Sequence, residues 1–175
     1  VFSNLINAGS YILEDDIFEF MHEGKHSIER EIFPVLATEG KLNGMQFDGY
    51  FVDAGTPESW SEGVQECIRK KRFSSGEVCG GSWFSNPMAK VTEGARVVGS
   101  MVEGNVGIGK SEVIESTILS GSLVGDNSVL SSCLIGRNAT IGNNCNLEGV
   151  VVDHNSIIPP ETNQIGGKWL SQQSD

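Results

Sequence analysis

The sequence predicts an α/β segment followed by a β segment built as a parallel β-helix, and three observations lead to this. From about residue 97 to residue 158, an aliphatic residue returns every five or six positions. That spacing fits neither a helix nor one long strand, and it is typical of short parallel strands stacked as coils. A corner phrase recurs in the same stretch, and the first 72 residues alternate strand and helix signals. The periodic residues are Ile108, Val113, Ile118, Val124, Val129, Ile135, Ile141, Leu147, Val151 and Ile157.

The corner phrase places a glycine first, an asparagine third and a small residue fourth. It occurs at 125–128, 136–139 and 142–145, and its second half recurs at 155–156. Asparagine and glycine tolerate a positive φ, so both suit a sharp turn. We expect the small residue to leave room for the neighbouring coil.

Composition narrows the classes of partner and the cellular compartment. The 175 residues carry a formal net charge of -11, which disfavours nucleic acid and anionic membranes as partners. No apolar run approaches the roughly 18 residues of a membrane-spanning helix. The four cysteines lack the close pairing of a zinc site or disulfide framework, so reduced thiols in a cytoplasmic protein are expected.

Residues 1–72 are predicted to form the C-terminal part of an α/β domain. The predicted strands cover 5–13, 42–47 and 50–52, and the predicted helices begin after Asp15 or Asp16, after Ser27 and after Thr56. Because Val1 leads directly into an apolar segment, we expect this chain to be the later part of a longer protein.

Three further segments follow this domain. Residues 73–92 are predicted as a linker whose Trp83 and Phe84 dock onto the coils. Residues 93–160 form the β-helix, which ends at Pro159-Pro160 because proline lacks the backbone donor that a continuing strand needs. Residues 161–175 form a tail in which Trp169 and Leu170 pack back as a lid.

Three places in the first domain are candidates for chemistry. Asn7 and Gly9 interrupt a predicted strand, where a glycine marks a bulge or a close approach to the backbone. Glu29 stands at a helix start, and Asp53 follows a strand, at the edge where ligands and metals gather in open α/β sheets. The ordinary alternatives are a glutamate that favours the helix dipole and an aspartate that caps a turn.

Three motifs together resemble a known family. Asn7-Ala8-Gly9-Ser10-Tyr11-Ile12, the phrase from Ser27 to Pro34, and the phrase from Phe47 to Pro57 stand in the order and rough spacing of the sugar-1-phosphate nucleotidylyltransferases. The resemblance implies a Rossmann-like domain followed by a left-handed β-helix of hexapeptide repeats, although several coils here turn after five residues. It also implies the formation of a nucleotide sugar and pyrophosphate from a nucleoside triphosphate and a sugar 1-phosphate, with mannose and GTP favoured.

The same resemblance implies roles for the candidate residues. Asn7, Gly9 and Glu29 would contact the sugar, and Asp53 would ligate Mg²⁺. The chain lacks the family's Gly-rich G-x-G-T-R-L-x-P loop, its second metal-binding aspartate and the lysine of its E-K-P motif. We therefore expect the chain to be inactive alone.

Two other readings remain open. Many proteins with hexapeptide repeats are acyltransferases that use a histidine as general base, and His154 is the histidine within the coils. Alternatively, the chain is a non-catalytic scaffold or regulatory subunit. The flat faces and the two ends of a coil stack favour self-association or docking onto a catalytic domain, and a homo-oligomer formed through the β-helix is expected.

Overall fold

A computed structural model describes residues 5–85 and 89–171. The chain forms two compact units, Val1–Phe51 and Val52–Asp175. Within the described residues, no helix combines the length and the apolar character that crossing a membrane requires.

The second unit contains the predicted parallel β-helix. Its strands form three sheets, ordered β1-β2-β5-β8-β11-β14-β17, β16-β13-β10-β7-β4 and β15-β12-β9-β6-β3. Only β1 and β2 pair antiparallel among the described strands. The strands are β1 (Glu77–Cys79), β2 (Ser82–Phe84), β3 (Lys90–Val91), β4 (Arg96–Val98), β5 (Met101–Val102), β6 (Gly107–Ile108), β7 (Glu112–Ile114), β8 (Thr117–Ile118), β9 (Leu123–Val124), β10 (Val129–Ser131), β11 (Leu134–Ile135), β12 (Thr140–Ile141), β13 (Asn146–Glu148), β14 (Val151–Val152), β15 (Ile157–Ile158), β16 (Asn163–Ile165) and β17 (Lys168–Trp169).

The core of the coils is a column of aliphatic residues from each sheet. In the second sheet, for example, Leu130 pairs with Val113 on one side and Leu147 on the other, and all three are fully buried. The inward-facing residues are Val102, Ile108, Val113, Ile118, Val124, Leu130, Ile135, Ile141, Leu147, Val152 and Ile158.

Three of the ten periodic residues are not the residue of their strand that faces inward. Val129 and Ile157 are 37% and 69% exposed, and Val151 is only half-buried, whereas the residue after each of them is buried. Successive side chains of a strand point to opposite faces. Where two aliphatic residues stand together, the five-to-six-residue period alone does not determine which one faces inward.

At the corners of the coils, asparagine and glycine have different structural roles. Asn127, Asn138, Asn144 and Asn155 all adopt a left-handed backbone with φ between 54° and 58°. Gly125 and Gly142 do not, so the prediction that a positive φ explains these glycines is wrong. A Cβ on Gly125 would lie 2.3 Å from the Asn143 side-chain oxygen, and the glycine is required for that close approach.

At Ser128 the small residue of the phrase is buried and is hydrogen-bonded between coils. The Ser128 hydroxyl accepts the Cys145 N–H at 3.0 Å and donates to the Gly142 carbonyl at 3.0 Å. Ser111 has the same role one coil earlier. These two hydroxyls satisfy buried backbone groups at their own corners.

The predicted linker and tail continue the sheets. Residues 73–92 include β1, β2 and β3, and Phe84 belongs to the coil core as predicted. The tail includes β16 and β17, and Trp169 packs against the core as predicted. The stack therefore extends past Pro159-Pro160, because only the third sheet ends there, at β15. Leu170 is 68% exposed, so the prediction that it packs back with Trp169 is wrong.

Helix α2 (Pro57–Lys70) packs on the coils within the second unit. Thr56 caps it through the Ser59 N–H, with Pro57 in the first turn, as the sequence predicts. Val64 and Ile68 form a cluster with Trp83 and Met101. The prediction assigned this helix to the first domain, and its packing associates it with the coils.

The first unit contains a 3-10 helix (Asp15–Phe20), a π-helix (Ile28–Ile32) and α1 (Phe33–Thr38), around buried Ile17, Ile32 and Leu36. Ser27 caps the π-helix as predicted, because its hydroxyl accepts the Arg30 N–H. The predicted strands at 5–13, 42–47 and 50–52 do not form. A strand requires a neighbour for its backbone groups, and these apolar segments have no strand partner among the described residues of this unit.

Candidate functional site

The loop around Asn7 is shaped by its own side chain. The Asn7 Oδ1 accepts the Gly9 N–H at 2.9 Å, which closes a turn over Ala8. Gly9 has a φ of +68°, and no atom lies within 4 Å of the position that a Cβ would occupy. Backbone conformation, and not crowding, is therefore what requires glycine here.

Glu29 lies in the π-helix and faces Asn7. The Asn7 Nδ2 donates to the Glu29 Oε1 at 3.1 Å. The structure thus brings together two of the residues that the sequence singles out, although they are 22 positions apart. Gly9 adjoins them through its bond to Asn7.

Tyr11 completes this group, although its position in the sequence does not distinguish it as a candidate residue. Its hydroxyl accepts the Asn7 Nδ2–H at 2.7 Å and donates to the Glu29 Oε1. The bond to Glu29 raises the pKa of Tyr11 above its ordinary value. Tyr11 belongs to the same motif as Asn7 and Gly9. The one signal in the sequence that could have identified it is its residue type, because tyrosine carries a hydroxyl that can bind hydrogen-bonding partners.

The arrangement of Asn7, Tyr11 and Glu29, which we call the amide–phenol–carboxylate cluster, is open to solvent. It combines an amide, a phenol and a carboxylate, which together offer donors and acceptors for the hydroxyl groups of a ligand. The rings of Tyr11 and Phe33 pack edge to face at a centroid distance of 4.8 Å. The cluster can therefore bind hydroxyls by direct hydrogen bonds.

An apolar groove of about 530 Å³ adjoins the cluster in the same unit. Its walls include Ile6 and Ala8, on either side of Asn7, together with Met45, Phe47 and Phe51. Met45 and Phe47 are strongly exposed. The polar cluster thus borders an apolar surface.

Asp53 lies in the second unit, at the start of the turn that precedes α2. Its Oδ1 accepts the Gly55 N–H at 3.2 Å, which is the bond of an ordinary turn aspartate. In the part of the chain that the structure describes, no three His, Cys, Asp or Glu side chains are placed to hold a metal ion together. Asp53 therefore offers a single carboxylate.

His154 has a structural role in the coils. Its Nδ1 lies 2.8 Å from the Arg137 backbone nitrogen, which can only donate, so Nδ1 is the acceptor. In a neutral ring the proton then resides on Nε2, so neither nitrogen has a free lone pair with which to remove a proton. This bond disfavours His154 as the general base of an acyltransferase.

Comparison with known proteins gives two consistent similarities. The family model for the GlmU-like C-terminal hexapeptide matches residues 87–172. A mannose-1-phosphate guanylyltransferase catalytic subunit beta from Drosophila pseudoobscura pseudoobscura is 32% identical over 98% of this chain and 49% of its own length. A mannose-1-phosphate guanyltransferase from Pichia angusta is 33% identical, over 98% of this chain and 50% of its own length.

The chain spans about half the length of these relatives. Among solved structures, a perosamine N-acetyltransferase from Caulobacter crescentus matches with a TM-score of 0.45 and 16% identity, over 81% of this chain and 72% of that one.

Proposed function

We propose that this chain is part of a sugar-1-phosphate nucleotidylyltransferase, because it is similar to mannose-1-phosphate guanylyltransferases over 98% of its length. The parent reaction joins a nucleoside triphosphate and a sugar 1-phosphate, with GTP and mannose 1-phosphate as the proposed substrates. A cytoplasmic location is part of this proposal and is supported by four free cysteines.

The observation that supports a sugar site is the contact between Asn7 and Glu29. Two polar side chains from distant motifs converge at an exposed position, where neither satisfies a buried group. A ligand hydroxyl can replace Tyr11 as the donor to Glu29 and accept a hydrogen bond from the Asn7 amide. In this proposal Asn7 and Glu29 bind sugar hydroxyls, and Gly9 provides the turn that orients Asn7.

Asp53 is the proposed ligand of Mg²⁺. Its carboxylate is a hard oxygen donor, and Mg²⁺ commonly takes one or two carboxylates while keeping waters and phosphate oxygens. The single carboxylate fits this mode of binding. When bound, the ion would neutralise phosphate charge that develops during the displacement.

The proposed reaction is an in-line displacement at phosphorus. A phosphate oxygen of the sugar 1-phosphate forms a bond to the α-phosphorus, and the bond from that phosphorus to the oxygen bridging it to the β-phosphate breaks, which releases pyrophosphate. Asn7 and Glu29 contribute by fixing the sugar, because such a displacement depends mainly on positioning.

Calorimetry of mannose 1-phosphate binding to the chain tests this sugar site. We expect Glu29→Gln to weaken binding about tenfold or more, because a hydrogen bond to a charged group contributes about 1.5–3 kcal/mol. Glu39→Gln is the matched control, since Glu39 is an exposed carboxylate of the same unit that pairs with Lys41. Equal dissociation constants of the two variants for mannose 1-phosphate would show that Glu29 does not bind the sugar.

The same proposal holds that the chain alone does not turn over, because its sequence contains no Gly-rich loop of the family type to hold the triphosphate. The test supplies GTP, mannose 1-phosphate and Mg²⁺ to the isolated chain. Measurable release of pyrophosphate would contradict it.

We also propose self-association through the β-helix. Leu123 and Ile157 stand on the outer face of the third sheet and are 52% and 69% exposed, which supports an interface between proteins there. Light scattering should show an oligomer that Leu123→Lys dissociates. A monomer at all concentrations would refute this part of the proposal.

A further inference from the structure

His22 follows the 3-10 helix of the first unit, and both of its ring nitrogens face oxygen acceptors. The Nδ1 lies 3.0 Å from the Glu23 carbonyl oxygen, and the Nε2 lies 3.2 Å from the Glu31 Oε2. A carbonyl and a carboxylate cannot donate, so each nitrogen must carry a proton to form its bond. Only the imidazolium form carries both protons.

The charge balance around His22 agrees with this geometry. The Glu23 carbonyl, and then Glu31, raise the pKa of His22 above its ordinary value of 6.5. The Ser27 N–H, and then His22, lower the pKa of Glu31. The contribution of the His22–Glu31 pair to stability is therefore fully present between pH 4.5 and pH 6.5. It is lost as the pH rises through the raised pKa of His22 and as the pH falls through the lowered pKa of Glu31.

Glu31 links His22 to the helix that carries Glu29. Its Oε1 accepts the Ser27 N–H at 2.7 Å, and the Ser27 hydroxyl accepts the Arg30 N–H at 3.3 Å. These bonds hold the first turn of the π-helix, and Glu29 lies within that turn. His22 thus connects the end of the 3-10 helix to the start of the π-helix.

We propose that protonated His22 is a positioning residue for Glu29, so that the amide–phenol–carboxylate cluster loosens and binds hydroxylated ligands more weakly when His22 loses its proton. The binding part of this inference rests on the proposed sugar site. The positioning part does not, because it concerns only the geometry of the free chain.

The groups that face His22 are few. Glu31 approaches it from the π-helix, and the His26 ring lies 4.9 Å away, centroid to centroid. The His26 Nδ1 is 3.0 Å from the Gly24 carbonyl, a bond that the neutral ring can donate. The negative charge of Glu31 is thus the main opposite charge near His22, and His26 supplies a matched control of the same residue type.

Nuclear magnetic resonance of the whole 175-residue chain, with ¹⁵N-labelled histidine and ¹³C-labelled tyrosine, tests the positioning role. The chain has two tyrosines, so Tyr50→Phe assigns the Tyr11 signal. We expect His22 to titrate above 6.5, and the Tyr11 Cζ signal to change with the same midpoint. That change should vanish in His22→Gln and persist in His26→Gln. The proposal would be overturned if the chemical shift of the Tyr11 Cζ did not change with pH. It would also be overturned if that shift changed with pH to the same extent in His22→Gln.

Binding of methyl α-mannoside tests the consequence, because this sugar has no group that titrates near neutrality. The dissociation constant should rise about two- to fivefold between about pH 6 and about pH 8.5, as expected for the loss of an exposed ion pair, and stay constant in His22→Gln. Equal pH dependence in both proteins would refute the link to binding. If the sugar binds at no pH, the proposed sugar site fails, and the Tyr11 signal still decides the role of His22.

Discussion

The Ser128 hydroxyl lies 3.0 Å from the backbone nitrogen of Cys145, one coil further along the stack. Ser128 is 1% exposed, so this N–H has no access to water if the hydroxyl is removed. We expect Ser128→Ala to lower the free energy of unfolding by about 1–3 kcal/mol, which is the usual cost of an unsatisfied buried donor. Chemical denaturation of the two proteins measures the difference.

Ser156 is the matched control for this substitution. It is 2% exposed, and its hydroxyl oxygen has no hydrogen-bond partner among the described residues. Ala139 occupies the corresponding corner position one coil earlier, where no hydroxyl is present. We therefore expect Ser156→Ala to be neutral or stabilising, and a loss equal to that of Ser128→Ala would contradict our account of the corner hydroxyls.

Two glycines of the coils should respond differently to alanine. At Gly125 the new Cβ would lie 2.3 Å from the Asn143 Oδ1 and 2.8 Å from the Asn143 nitrogen, so the next coil must move. We expect Gly125→Ala to cost about 1–3 kcal/mol or more, as overpacking does. The midpoint of thermal unfolding measures this effect.

Gly149 has open space around its Cβ position but a φ of +62°. Gly149→Ala should therefore cost only the left-handed backbone penalty of about 1–2 kcal/mol. Gly149→Asn should recover much of this loss, because Asn144 and Asn155 adopt the same conformation. A larger loss at Gly149 than at Gly125 would show that steric approach is not what selects glycine in the corner phrase.

The coil stack could be predicted from sequence because each coil repeats the same local rule. Asn127 and Asn144 mark their corners, and the buried residue follows two positions after the small one, as Leu130 follows Ser128. The five-to-six-residue period did not show whether Val129 or Leu130 faces inward, since both residues are aliphatic. Which residue faces inward depends on the pleat of a strand only two or three residues long.

The candidate site could be predicted only in part. Their positions in the sequence selected Asn7 and Glu29, the motif resemblance gave them a role, and the structure places them in contact. Tyr11 was missed because its role depends on bonds to both of them, which no local pattern encodes. The predicted strand at 5–13 failed for a related reason, because an apolar segment becomes a strand only when a partner strand pairs with its backbone.

The bond between Tyr11 and Glu29 predicts how the phenol titrates. Because the Glu29 carboxylate accepts the Tyr11 O–H, it raises the pKa of Tyr11, and the stabilisation from this bond is present below pH 10.0 and is lost as the pH rises through the raised value. Glu29→Gln should bring the pKa of Tyr11 back toward 10.0. Absorbance near 295 nm measures this in a Tyr50→Phe background, and an unchanged pKa would mean that Glu29 does not hold the phenol.

The packing of α2 predicts where the chain can be divided. Val64 and Ile68 of this helix are each 8% exposed. They pack in one cluster with Trp83 and Met101. The Gln65 side chain donates a hydrogen bond to the Gly99 carbonyl. A fragment of residues 52–175 keeps these contacts, and one of residues 73–175 loses them. Each such apolar side chain contributes about 1.5–3 kcal/mol when fully buried, so we expect the shorter fragment to be less stable by several kcal/mol.

Thermal unfolding of the two fragments, followed by circular dichroism, tests this division. The longer fragment should unfold near the midpoint of the coil transition in the full chain, and the shorter one well below it. Tryptophan emission of the shorter fragment should also shift to longer wavelength, because Trp83 loses the helix that covers it. Equal midpoints for the two fragments would show that α2 does not stabilise the coils and would favour the predicted boundary at residue 72, with α2 in the first domain.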